Sequence, residues 1–198
     1  GFMAYIDKSM GSDYLLMPTS IVLSGGNVGA GPELAQSVAA IPGIENVASL
    51  RLAPSVAHTP DLTLPGQDGT GGFDIQLIGI DPAVYGSVSG LQFSQGDEAA
   101  AYTAMTDHRA IIVNGIFASQ SQVAVGDVLT LTTPEGEQAY EIVGIGTDYL
   151  NAKLATGYIS QADLATDFHQ TSDLLLMANM VEGGDAASVE ADLNTLIA

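Results

Sequence analysis

The stretch from Asp107 to Ile145, DHRAIIVNGIFASQSQVAVGDVLTLTTPEGEQAYEIVGI, constrains the fold most, because it reads as a strand, a helix and a hairpin in one run. Ala110-Ile111-Ile112-Val113 is apolar and β-branched, which favours a buried strand. A short helix over Gly115 to Val123 follows. Val125-Gly126-Asp127 is a turn: glycine tolerates positive φ and an aspartate side chain bonds neighbouring amides. Strands over Val128–Thr133 and Gln138–Ile145 are joined by Pro134-Glu135-Gly136-Glu137, where proline pre-sets φ and Gly136 takes a left-handed one.

The remaining chain alternates strands and helices. Asp13–Leu23 is extended and interrupted at Pro18; Ser24–Gly31 is a glycine-rich loop with no lysine in a phosphate-binding pattern. Pro32 and Glu33 open a helix whose stripe is Leu34, Val38 and Ile41, and Pro42-Gly43 ends it. Ile44–Val56 is the next strand, completing a β-α-β unit. His58–Phe73 is rich in Pro, Gly, Asp and Thr and reads as a loop or a crossing between lobes. Asp74–Ile80 is a strand with Ile75 and Leu77 on one face, Asp81-Pro82 a turn, Val84–Phe93 irregular, and Gln95–His108 a short acidic helix. Gly146–Thr156 is a second crossing, followed by a short strand at Tyr158-Ile159. Ser160 with Asp163 matches a capping box for a helix bearing Leu164 and Phe168. Asp173–Met180 is a strand apolar on both faces, and Gly183-Gly184 breaks it. Asp185 caps a last helix with a stripe of Val189, Leu193 and Leu196, so the chain ends β-α-β-α.

Several functions are excluded by charge and composition. Twenty-three acidic residues face four basic ones (Lys8, Arg51, Arg109, Lys153), a net charge of −19 that repels phosphate backbones and rules against nucleic acid. The acidity reads as a highly soluble face, or alternatively as an acidic docking surface. A hydrophobic content of 46% argues for a packed core rather than disorder. There is no cysteine, so disulfides, zinc thiolates and thiol catalysis are absent. No window approaches the ~20 apolar residues of a membrane helix. Phe2-Met3-Ala4-Tyr5-Ile6 reads either as the tail of such a helix or as an ordinary packed terminus.

Candidate chemistry is sparse. His58, His108 and His169 belong to no H-x-x-x-H or H-E-x-x-H pair, although three separate histidines can converge on zinc. Asp68 and Asp74 flank glycines, but the calcium-loop pattern is missing. Gly86-Ser87-Val88-Ser89-Gly90 carries a serine doublet in place of Gly-x-Ser-x-Gly. We therefore expect no catalytic residue, no cofactor site and no metal site, with an unrecognised carboxylate-dependent hydrolase as a distant alternative.

Taken in order, Gly79-Ile80-Asp81-Pro82, the apolar strand, the short helix, Val-Gly-Asp, the Leu-Thr-Leu strand, Ile142-Val143-Gly144-Ile145 and Gly157-Tyr158-Ile159-Ser160 with its helix carry a likeness. The set resembles the extracytoplasmic core domain of MacB/FtsX/LolC-type ABC-transporter permeases over most of the chain. Its acidity and the loop Pro65–Gly72 depart from the better-known members. The resemblance implies an α+β fold in two lobes: a porter-like α/β lobe from residues 1–56 and 154–198, and an inserted β-rich, sabre-like lobe over 57–153. It also implies a non-catalytic domain on the outer side of the cell membrane. The expected partners are flanking transmembrane helices, a cytoplasmic ABC ATPase, a second permease copy, and an extracytoplasmic accessory protein or exported substrate. The rival reading is a secreted acidic binding or adhesion module.

Overall fold

Proline 32 has no amide hydrogen to lose at a helix start, and helix α1 begins there (Pro32–Ala39) in the computed structural model of the chain. The structure describes residues 2–6, 13–18, 32–59, 72–88, 91–148, 153–171 and 175–197. The loop expected over Ser24–Gly31, the tail of the first extended segment and Asp68 lie outside these residues. Gly43 sits at φ +93° after α1, the conformation that makes Pro42-Gly43 a stop.

The chain divides into two units. The first comprises Gly1–Arg51, Ala83–Gly90 and Thr171–Ala198; the second, Leu52–Pro82 and Leu91–Gln170. Strand β9 (Thr156–Ser160) and helix α5 (Gln161–Phe168), expected with the terminal lobe, thus belong to the second unit. The reason is pairing: β9 runs parallel to β4 (Gly72–Ile80) from Gln76↔Thr156 to Ile80↔Ser160, and antiparallel to β6 (Ala110–Val113).

In the first unit, β1 (Phe2–Ile6), β2 (Tyr14–Pro18), β10 (Leu175–Met180) and the first half of β3 (Ile44–His58) form an antiparallel sheet in that order. The terminal Phe2–Ile6 segment is therefore a strand. Strands β2 and β3 both oppose β10, so they run the same way with β10 between them: the expected β-α-β unit is split. Tyr14, Leu16, Leu176 and Ala178 alternate onto one face. There they meet Val38 of α1, Ile41 just after it, and Val189 and Leu193 of α6 (Ala186–Ile197). Leu196, expected on that stripe, is 37% exposed; Ile197 packs against the cluster instead. Where an irregular Val84–Phe93 was expected, a short helix α2 (Tyr85–Val88) lies beside β10, and β5 (Gln92–Gln95) follows in the second unit.

The second unit is a ring of strands. Strand β4 neighbours β3 and β9, β9 neighbours β6, and β6 runs parallel to β8 (Gly136–Thr147). Strand β8 pairs with β7 (Val128–Thr133), and β7 pairs back to β3 through Ala57↔Leu131 and His58↔Thr130. The hydrogen-bonded path β3-β4-β9-β6-β8-β7 thus returns on itself, the device by which small barrels remove exposed edges. Alternate residues fill its interior: Ala57, Ile75, Leu77, Ile111, Val113, Leu129, Leu131, Tyr140 and Ile142. Phe117 of α4 (Gly115–Ser121) and Leu164 of α5 join the same core. Helix α3 (Glu98–Asp107) is set by Asp97, whose Oδ2 accepts from Ala100 N at 2.9 Å. The β7–β8 hairpin is tighter than expected: Thr133↔Gly136 are paired, leaving Pro134-Glu135 as a two-residue loop with Gly136 at φ +120°.

Among the described acids, only Asp148 and Asp167 are buried, so the charge lies on the surface, at Glu33, Glu45, Asp74, Asp107 and Asp192 among others. Two outcomes follow from this packing. Leu193→Ala removes a side chain 1% exposed and is expected to cost about 2–5 kcal/mol in denaturant unfolding. Leu196→Ala, by the same measurement, is expected to stay within about 0.5 kcal/mol. Screening of the −19 surface by 1 M NaCl is expected to add about 1 kcal/mol, a rise in Tm of roughly 2–4 °C; a midpoint indifferent to salt contradicts it.

Candidate functional site

Chemistry at a protein surface needs groups left free to act, so each polar cluster is judged by what already occupies it. The most buried ionic cluster in the described residues joins three distant segments: Arg109 before β6, Tyr140 in β8 and Asp167 in α5. Arg109 grips Asp167 with two nitrogens, Nε to Oδ2 at 2.8 Å and Nη2 to Oδ1 at 2.9 Å. The Tyr140 hydroxyl donates to the same Oδ2. Bonds from Arg109, outweighing the effect of burial, hold the Asp167 carboxyl below its ordinary value. Burial, then the bond to Asp167, pushes the Tyr140 phenol up, out of reach of ordinary pH. Asp163, one turn back on α5, is pushed up chiefly by burial and pulled down by its bond with Ser160. A base must be unoccupied and poised near the working pH; Asp167 has both oxygens engaged and a depressed pKa. This cluster clamps α5 to the barrel wall.

Ser160 caps α5 as expected, its Oγ accepting from Asp163 N at 3.1 Å. Asn114 caps α4 and also spans to the following crossing. Its Oδ1 accepts from Phe117 N at 3.0 Å and Thr156 N at 3.1 Å, and its Nδ2 donates to Leu154 O at 2.5 Å. Tyr158 donates to Asp148 at 2.5 Å, so the second buried acid is engaged as well.

The structure gives the three histidines different neighbours. His58 Nε2 is 3.5 Å from Thr132 Oγ1. His108 Nε2 is 2.8 Å from Glu141 Oε2, and His169 Nε2 is 2.9 Å from Glu135 Oε1. Both carboxylate pairs are about half exposed or more, where such contacts contribute about 0–1 kcal/mol. Among the described residues, no group of three or more His, Asp or Glu is placed to hold a metal ion. Ser87 of the serine doublet is turned inward on its own backbone, its Oγ donating to Val84 O at 2.6 Å. Asp74 is exposed. What sequence reading missed is the Asp167 clamp. Its one local signal is an acid three residues after Leu164, on the helix face that is otherwise apolar.

No helix among the described residues is long and apolar enough to cross a membrane. No protein-family model matches the chain, and no curated protein matches it in sequence. Solved structures do match. The extracellular domain of the noncanonic ABC-type transporter YknZ from Gram-positive bacteria is similar at a TM-score of 0.63 and 17% identity, over 89% of this chain and 84% of that one. The periplasmic region of MacB from Actinobacillus actinomycetemcomitans is similar at 0.70 and 12% identity, over 96% of this chain and 85% of that one. The chain has the fold of the extracytoplasmic domains of ABC-type transporter permeases, as its sequence motifs imply.

Proposed function

We propose that this chain is the non-catalytic extracytoplasmic domain of an ABC transporter permease. It passes movement of flanking membrane helices, driven by a cytoplasmic ATPase, to a substrate or accessory protein outside the membrane. The observation that carries the reading is the likeness to the MacB periplasmic region over 96% of the chain. The placement of the ends supports it: β1 and α6 both belong to the first unit, and α6 packs beside β1. Displacement applied at either end therefore enters the same small body. The porter-like role falls to this unit and the sabre-like role to the barrel, which a closed ring of strands makes stiff. The protein works beside a second copy of the permease, on the outer side of the membrane.

The test uses the permease in its membrane with its ATPase. Residues 52–82 and 91–170 are each replaced by a short glycine-serine linker, leaving the first unit, residues 83–90 included. Export is expected to be lost while ATPase assembly persists; unaltered export refutes the assigned role of the barrel.

The non-catalytic reading also makes Asp167 a matter of stability alone. Asp167→Ala strands the buried Tyr140 hydroxyl and unpairs Arg109, whose side chain is 40% exposed and so partly compensated by water. The expected cost is about 2–3 kcal/mol in urea unfolding at pH 7. Because the folded-state pKa of Asp167 lies below the ordinary 3.8, its contribution is complete above that value. It is lost as pH falls through the folded pKa, so the gap between wild type and Asp167→Asn is expected to narrow below pH 3.8. A gap that stays constant into acid would show that the carboxylate charge contributes nothing.

A further inference from the structure

Residues 83–90 take an unusual route. The segments on either side, ending at Pro82 and resuming at Leu91, belong to the second unit, yet these eight residues belong to the first. The described ones, residues 83–88, are well seated there. Tyr85 is 1% exposed, Val88 is wholly buried, and α2 lies beside β10. The turn is closed from within by Val84 O, which accepts from Ser87 N at 2.9 Å as well as from the serine hydroxyl.

One side chain reaches in from the sheet. Asn179 of β10 donates from Nδ2 to Ser87 O at 2.7 Å. The other end of the same amide is also engaged, Oδ1 accepting from Asp13 N at 3.2 Å. Asp13 in turn accepts from Met180 N at 2.8 Å through Oδ2, and its own amide donates to Ala178 O at 3.1 Å. A single planar amide thus ties together the start of β2, the end of β10 and residues 83–88. The chain passes between the units at 51/52, 82/83, 90/91 and 170/171, and the crossing at 82/83 abuts the fastened residues. A fastened segment transmits displacement to the crossing beside it, whereas a slack one absorbs it in backbone freedom.

We propose that Asn179 is a positioning residue for coupling: it fastens residues 83–88 to the unit that holds β1 and α6, so that movement of this unit reaches the barrel through the crossing at 82/83. The inference rests on the transporter reading above and adds the route and the residue. Two variants test it. Asn179→Ala removes both hydrogen bonds, and Asn179→Asp keeps an acceptor for Asp13 N but has no donor for Ser87 O.

In hydrogen exchange on the 198-residue chain, both are expected to lower the protection of the Ser87 amide about fivefold, with β6 and β8 unchanged. In the membrane-embedded permease with its ATPase, both are expected to lower export per ATP hydrolysed by about fivefold or more, with hydrolysis retained. Val189→Ala, a core change in the first unit that leaves Asn179 and Ser87 in place, is expected to lower Tm yet keep wild-type coupling. Unchanged protection at Ser87 overturns the clip. A loosened segment with wild-type export, while replacement of the barrel abolishes export, overturns the route and leaves the transporter reading standing.

Discussion

Everything in the second unit depends on the pairing of residues 57 and 58 with β7. Without it, β3 and β7 would each present unpaired N–H and C=O groups along an edge, and the ring would open into a curled sheet. Closure also decides which side chains are inside. Leu129, Leu131, Tyr140 and Ile142 face the interior because strand period is two, and they meet Ala57 and Ile75 because the ring brings β3 and β4 opposite them. A slip of one residue in β7 would turn Leu129 and Leu131 outward and bring Thr130 inward. The small side chains Ala53 and Ala57 sit in this core alongside Phe73, Phe117 and Tyr140, the mixture of sizes that a narrow interior requires.

Among the described residues, the buried carboxylates of this unit are hydrogen-bonded. Asp167 enters the apolar face of α5 accompanied by two guanidinium nitrogens and a phenol, and Asp148 accompanied by Tyr158. Burying a carboxylate without such partners would shift it to its neutral form. The remaining described acids stay at or near the surface, which reconciles a net charge of −19 with a hydrophobic content of 46%.

Local signals suffice where one or two residues carry the physics. Pro32 started a helix, Ser160 capped one, and Asp127 turned its carboxylate onto Ala124 N at 2.8 Å. Asp185 likewise accepts from Ala187 N and Ser188 N at the head of α6. They do not suffice where a signal is shared between outcomes. Gly136 fits either a four-residue connection or the end of a two-residue loop, and only the register Thr133↔Gly136 chooses. Leu196 matches the helical stripe as well as Ile197 does, and the direction of α6 across its sheet decides between them. Tyr85 and Val88 sit in a stretch with no clear period, and burial beside β10 is what made it a helix.

By itself the sequence determined the kind of most elements and many of the core residues, because these follow from side-chain periodicity and capping chemistry. Tertiary structure decided the insertion of β10 between β2 and β3, the closing of β3 on β7, the assignment of β9 and α5 to the barrel, and the meeting of Arg109, Tyr140 and Asp167. Each of these joins residues far apart along the chain, and periodicity carries no information about which distant strand edge or charge will satisfy a given one.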